Sequence, residues 1–194
     1  MEYRWLDLKK KPIWIHCKGY LVRDDNMKPL YMIGCVNEIG KRQKADNVSG
    51  LLGESGFREY MNQLDTPLET GYLLRIGIDH FKEINDNFGQ EYGDFVLKKT
   101  AECISGCTSE GQKVYKLVAD EFLILDVASD EAKDADKLYD KVREAIDRFI
   151  ETNEFKVMYT VSGGIVPFAA LKGNQCSEAL KLTDFALNLS LIHI

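Results

Sequence analysis

Asp79, Lys82, Asn85 and Asp94 fall within the stretch 72–97, YLLRIGIDHFKEINDNFGQEYGDFVL, and Asp120-Glu121 follow in KVYKLVADEFLIL at 113–125. An apolar strand ending at Asp79 puts a carboxylate at the strand's C-terminal end, where sites of the α/β type form. Asn85 and Asp94 together offer a donor, an acceptor and a carboxylate. That set matches a guanine edge, the carboxylate accepting from N1–H and from the exocyclic amine. Lys82, beside a helix N-terminus, suits phosphate. Asp120 and Glu121 lie at a hairpin tip, where two acids are either solvated turn residues or a metal-binding catalytic pair. Taken singly, several have simpler roles: Asn85 and Asp94 as helix caps, Lys82 as a solvated charge.

Such side chains need a scaffold, and the hydrophobic patterns supply one. Helices are expected at about 54–65, 81–88, 91–106 and 131–151, with a last one from Ser177; strands are expected at 72–79, 113–117, 122–127 and 156–166. The 131–151 helix carries Leu138, Val142, Ile146 and Phe149 on one face. Strands interleaved with helices around a central hairpin predict an α+β fold with helices packed on a mixed sheet. Upstream, 3–8, 13–22 and 30–36 are rich in aromatic and β-branched residues and predict three strands. Three strands without a helix do not make a stable domain alone, which suggests the end of a larger one. The polar run GKRQKADN after Ile39 suits a helical linker.

Composition narrows the function classes. The 194 residues are 45% hydrophobic and carry a net charge of −6, against generic nucleic-acid binding through a basic surface. Residues 1–44 hold ten Lys/Arg against five Asp/Glu, whereas 45–194 hold 15 against 26, so a boundary is expected near 45. The five cysteines lack metal-type spacing and suit a reducing cytoplasm. Absence of a membrane-length apolar run predicts a soluble cytoplasmic piece without membrane contact; a membrane anchor elsewhere in a longer parent stays open. The end, LSLIHI at 189–194, coincides with a reading frame of a sequencing-library adapter and reads either as a non-native tail or as an ordinary apolar helix end.

DHFKEINDNFGQEYGD, then ADEF, then TVSGG at 160–164, with DNVSGL at 46–51 as an entry motif, resembles the GGDEF family of diguanylate cyclase domains. The resemblance covers about 45–190. It implies a mixed, mainly antiparallel sheet wrapped by helices, of the nucleotide-cyclase and polymerase-palm kind. It also implies joining of two GTP molecules into cyclic di-GMP by two facing domains with Mg²⁺. On this reading Asn85 and Asp94 hold guanine, Lys82 helps hold phosphates, and Asp120 and Glu121 occupy the catalytic position, with Asp120 and Asp79 at the metal. Mg²⁺ sites carry few protein carboxylates, so each one matters. The segment ending YMIGCVNEIGKRQKAD is similar to the last strands of a PAS sensor domain. The expected organisation is a PAS fragment at 1–38, a helical linker at 39–46 and a GGDEF-like domain at 47–188.

Four departures from the family pattern qualify the activity. Gly77 stands where the family has its first metal-ligating Asp. Val118-Ala119 replace the paired glycines before Asp-Glu-Phe. Ser109-Glu110-Gly111-Gln112 lack the Arg-x-x-Asp of the family's inhibitory product site, and the C-terminal Lys/Arg that grips phosphates is missing, which says nothing of the natural protein if the tail is non-native. The expectation is therefore a degenerate signalling module that binds GTP or a related nucleotide, has a weak Mg²⁺ site and forms a homodimer in the full-length protein. A weakly active diguanylate cyclase is the alternative, and a dimerising scaffold that binds no nucleotide is the third reading.

Overall fold

The computed structural model describes residues 2–6, 12–24, 26–38, 45–64, 68–127, 129, 133–152, 157–171 and 176–191. The chain divides into two compact units, Met1–Ala45 and Asp46–Ile194. The first unit is an antiparallel three-stranded sheet of β1 (Glu2–Leu6), β2 (Pro12–Arg23) and β3 (Pro29–Glu38), in that order. Gly19 pairs with Gly34, and the register slips between Val22 and Arg23. Leu30, Tyr31, Met32 and Ile33 are all exposed, so both faces of this stretch lie open. Of the expected linker only Ala45 and Asp46 are described.

The second unit is α+β. Its sheet runs β4 (Leu52–Gly53), β6 (Gln112–Lys116), β7 (Glu121–Asp126), β5 (Tyr72–Ile78), β8 (Val161–Pro167). Every neighbouring pair is antiparallel except β4 with β6. The helices are α1 (Glu54–Asn62), α2 (Phe81–Phe88), α3 (Gln90–Cys107), α4 (Lys133–Thr152) and α5 (Cys176–Leu191).

The paired central strands β5 and β7 each alternate between two buried faces. Tyr72, Leu74, Ile76 and Ile78 pack with Phe122 and Ile124 against Val96 and Ile104 of α3 and Val142 and Ile146 of α4. Leu73, Leu123 and Leu125 face the other way, against Phe57 and Met61 of α1 and Ala179 of α5. Burial on both faces explains why β5 is nearly continuously apolar. Each fully buried Leu or Ile contributes about 1.5–3 kcal/mol relative to exposure. The same alternation puts Arg75 and Gly77 on the α1–α5 face, with Leu73.

Two elements differ from expectation. β8 starts at Val161 rather than 156, because its pairing with β5 begins at Ile78↔Val161, where β5 itself ends. β4 is a two-residue strand parallel to β6, with Leu52 opposite Tyr115, too short for any period-two pattern to mark.

Candidate functional site

The C-terminal end of β5, the β6–β7 hairpin and the start of β8 meet at one edge of the sheet. Gly77 pairs with Glu121 on one side and with Ser162 on the other. The hairpin turn closes through Leu117 N–H to the Glu121 carbonyl at 2.8 Å and Glu121 N–H to the Val118 carbonyl at 3.2 Å. Ala119 takes φ 53°, a left-handed conformation that a glycine adopts without strain and an alanine does not. Val118 avoids that conformation and projects outward, 70% exposed.

A buried lysine braces this turn. Lys116 is 4% exposed, and its Nζ donates to the carbonyls of Leu117, at 3.3 Å, and Ala119. The ammonium also lies 5.1 Å from the centre of the Phe122 ring. Burial pulls its pKa below the ordinary lysine value, opposed by the charges of Asp46, Asp120 and Glu121. Asp46 opens the DNVSGL loop, accepting from the Ser49 N–H and hydroxyl at 2.7 Å each and from the Val48 N–H at 3.2 Å. Burial alone would raise its pKa, but the Ser49 bonds, Lys116 and the Val48 bond bring it below the ordinary value. Burial pushes the Asp120 carboxyl above its usual range; the Glu121 charge adds to this, and backbone hydrogen bonds and Lys116 oppose it.

The carboxylates nearest Gly77 are already engaged. The guanidinium of Arg75, with a side chain only 11% exposed, donates from Nε to Glu121 Oε2 at 3.0 Å and from Nη2 to the same oxygen. Its Nη2 also pairs with Asp184 Oδ1 at 3.1 Å, and Nη1 donates to the Leu180 carbonyl at 3.1 Å. Asp79 accepts from the Ser162 hydroxyl at 2.7 Å and the Thr160 hydroxyl at 2.5 Å, one bond to each oxygen. A Cβ on Gly77 would lie 3.3 Å from Leu187 Cδ2 of α5 and 3.9 Å from Glu121 Cγ. Residue 77 therefore faces Glu121 but brings no oxygen to it. Among the described residues no group of three His, Cys, Asp or Glu is placed to hold a metal ion. A Mg²⁺ site takes one or two carboxylates beside waters and substrate phosphates; here these would come from Asp79, Asp120 and Glu121, of which Asp79 and Glu121 already have partners.

On the helical side, α2 packs against α3 at Asn85. A Cβ on Gly93 would fall 1.9 Å from Asn85 Oδ1, so the Asn85 amide occupies the space a side chain at 93, the residue before Asp94, would take. Both residues are half-buried, and among the described residues neither polar group has a hydrogen-bond or ion-pair partner. Lys82 is exposed on α2. His80 turns the chain into α2 with φ 54°, its exposed ring 3.1 Å from Glu83.

Three contributors escape a reading of motifs: Arg75, Lys116 and Asp184. Arg75 carried a signal, as the lone charge inside the strand YLLRIGI. Lys116 likewise closes an apolar-alternating strand, whereas Asp184 belongs to the site only because α5 packs there.

The profile for the "Diguanylate cyclase, GGDEF domain" family matches residues 44–190. The chain belongs to the GGDEF family. Among curated GGDEF relatives, "Cyclic di-GMP phosphodiesterase NbdA" of Pseudomonas aeruginosa is 29% identical over 150 residues, 75% of this chain and 19% of that protein. "Diguanylate cyclase VdcA" of Vibrio cholerae is 27% identical over 113 residues, 57% of this chain and 33% of that protein. The chain thus spans a third or less of the length of these two relatives. An "uncharacterized membrane protein" of Staphylococcus epidermidis is 26% identical over 143 residues, 70% of this chain and 39% of that protein. Among solved structures, the GGDEF domain of PA1120 (TpbB or YfiN) from Pseudomonas aeruginosa superposes with a TM-score of 0.67 at 23% identity, covering 77% of this chain and 90% of that one. The GGDEF domain of DgcB from Caulobacter crescentus, in complex with c-di-GMP, gives 0.62 at 22% identity, covering 77% and 91%. At these identities the structural likeness speaks for the fold. No helix of the described residues is long and apolar enough to cross a membrane.

Proposed function

We propose that this GGDEF domain is a degenerate, cytoplasmic regulatory module that binds GTP or a related guanine nucleotide and lacks strong cyclase activity. The observation that carries this reading is the contrast between the two halves of the site. Asn85, packed at Gly93, and Asp94 keep unpartnered polar groups among the described residues, whereas Glu121 is held by Arg75, Asp79 by two hydroxyls, and Gly77 offers no ligand. Base recognition needs the first half. Cyclase chemistry needs metal to neutralise and align the triphosphate. The three-stranded sheet at 2–38 would be the end of a PAS domain feeding this module through the 39–46 linker, in a protein that acts as a homodimer.

Titration of fluorescent GTP into the protein is expected to give saturable binding that Asn85→Ala with Asp94→Ala abolishes. No binding at millimolar GTP would leave only the scaffold reading. Incubation with GTP and Mg²⁺ is expected to yield little or no cyclic di-GMP, and formation at the rate of an active cyclase would sink the regulatory reading. Retention of Asp120-Glu121 favours the weak-cyclase alternative, and the same assay decides it.

A further inference from the structure

Arg75 is a charged residue in a strand whose seven residues are all buried, and a buried guanidinium needs anions and acceptors around it. It finds Glu121 across the β5–β7 pair, Asp184 one helix away, and the Leu180 carbonyl for its remaining nitrogen. By strand alternation Arg75 and Gly77 share a face, and Glu121 lies opposite Gly77 in register. Position 77 brings a hydrogen rather than a carboxylate toward Glu121, and the guanidinium of Arg75 balances the acid that is there.

We propose that Arg75 is the resident cation of this site, standing in for a divalent ion. Glu121 is its counter-ion, and guanine-nucleotide binding proceeds without metal. The cleft beside Arg75, about 270 Å³ between α1, the hairpin and α5, is lined by Arg58, Arg75 and Lys181 against Glu54 and Asp184. With Glu121, the counter-ion of Arg75, these charges balance three against three, so the cleft has no net negative charge to draw a second cation. Asp184 and Leu180 lie on α5, so the guanidinium also pins that helix over the sheet, something a hydrated ion does less rigidly. Metal exclusion rests on the ion-pair geometry alone; the metal-free nucleotide site rests in addition on the guanine reading above.

The test measures Mn²⁺ binding, by electron paramagnetic resonance and calorimetry, on the wild type, Arg75→Met, Gly77→Asp and the double variant, each checked by thermal melting. Gly77→Asp is tolerable in space because its nearest neighbour is the tip of the Leu187 side chain. The wild type and Gly77→Asp are expected to bind Mn²⁺ no tighter than about 1 mM. The double variant, with two facing carboxylates and no guanidinium, is expected to bind at least about tenfold tighter, a gain that neither single change gives. Arg75→Lys with Gly77→Asp keeps the positive charge and is expected to stay metal-free, and a double methionine variant that melts as the wild type does yet binds Mn²⁺ no tighter than Gly77→Asp also overturns the proposal. The proposal is overturned if the wild type binds Mn²⁺ micromolarly and Glu121→Gln removes that binding, or if Gly77→Asp alone gains the site. A GTP titration in EDTA and again in Mg²⁺ is expected to give the same affinity within about twofold, and tightening of about tenfold by Mg²⁺ also overturns it. Failure to bind GTP in both buffers would sink the guanine reading and leave the Mn²⁺ result standing.

Discussion

Replacing Gly93 by alanine separates fold from site, because the two effects have opposite signs. Gly93 lies inside α3, where alanine is favoured over glycine by about 0.8–1 kcal/mol. Its new methyl, however, would sit 1.9 Å from Asn85 Oδ1 and 2.9 Å from Asn85 Cγ. Ordinary contact begins near 3.4 Å, so the amide must move by about 1.5 Å or rotate away. The obstacle is the end of a half-buried side chain rather than backbone, and rotation is the cheaper escape. The helix therefore keeps most of its gain while the amide leaves its place against residue 93. If Asn85 makes two hydrogen bonds to the base, at about 0.5–1.5 kcal/mol each, their loss totals about 1–3 kcal/mol. That is roughly five- to 150-fold in Kd. Thermal melting is expected to show unchanged or slightly raised stability, and titration with fluorescent GTP a weakened Kd of that size. GTP binding within twofold of wild type, in a variant that melts normally, would refute the placement of Asn85 as a base contact.

Ala119→Gly is expected to relieve the left-handed strain at φ 53°, raising stability in urea by up to about 1 kcal/mol once glycine's extra chain entropy is counted. Gly164→Ala would bring a Cβ within 2.3 Å of the Leu187 backbone nitrogen and 2.6 Å of the Ala186 carbonyl carbon, so α5 must lift from β8. A loss of about 1–3 kcal/mol and a lower Tm are expected, whereas Gly106→Ala, with open space around it, is expected to stabilise α3. Asp46 has a folded pKa below its unfolded value, so its charge stabilises the fold above the ordinary carboxylate pKa, and that stability is lost as pH falls through the folded pKa. Asp46→Asn is therefore expected to unfold at lower urea than wild type at pH 7, with the gap closing as the pH drops below about 3.8. A gap that widens on acidification would contradict the sign.

Much of this architecture was legible because its signals are local. YLLRIGI, the apolar stripe of α4 and the KVYKL–EFLIL hairpin each declare their element by period, and together they imply the α+β layering that the sheet order then shows. The motifs DHFKEIND, ADEF and TVSGG keep their identity and order along the chain, enough to point to the GGDEF family. The limits of β8 and the existence of β4 were not legible, because each depends on where a partner strand ends or begins.

What the sequence by itself determined is which groups are present: acids at 79, 120 and 121, an amide at 85, and no acid at 77. Which of those groups remain available was decided only by tertiary structure. Asp79 is consumed by hydroxyls that lie 81 and 83 positions further along, and Glu121 by a guanidinium 46 positions upstream. Hydrogen bonds and ion pairs are made between groups brought close in space, and spacing along the chain carries no record of them. Asn85 is the converse case, its amide given room by the missing side chain of Gly93 on the next helix.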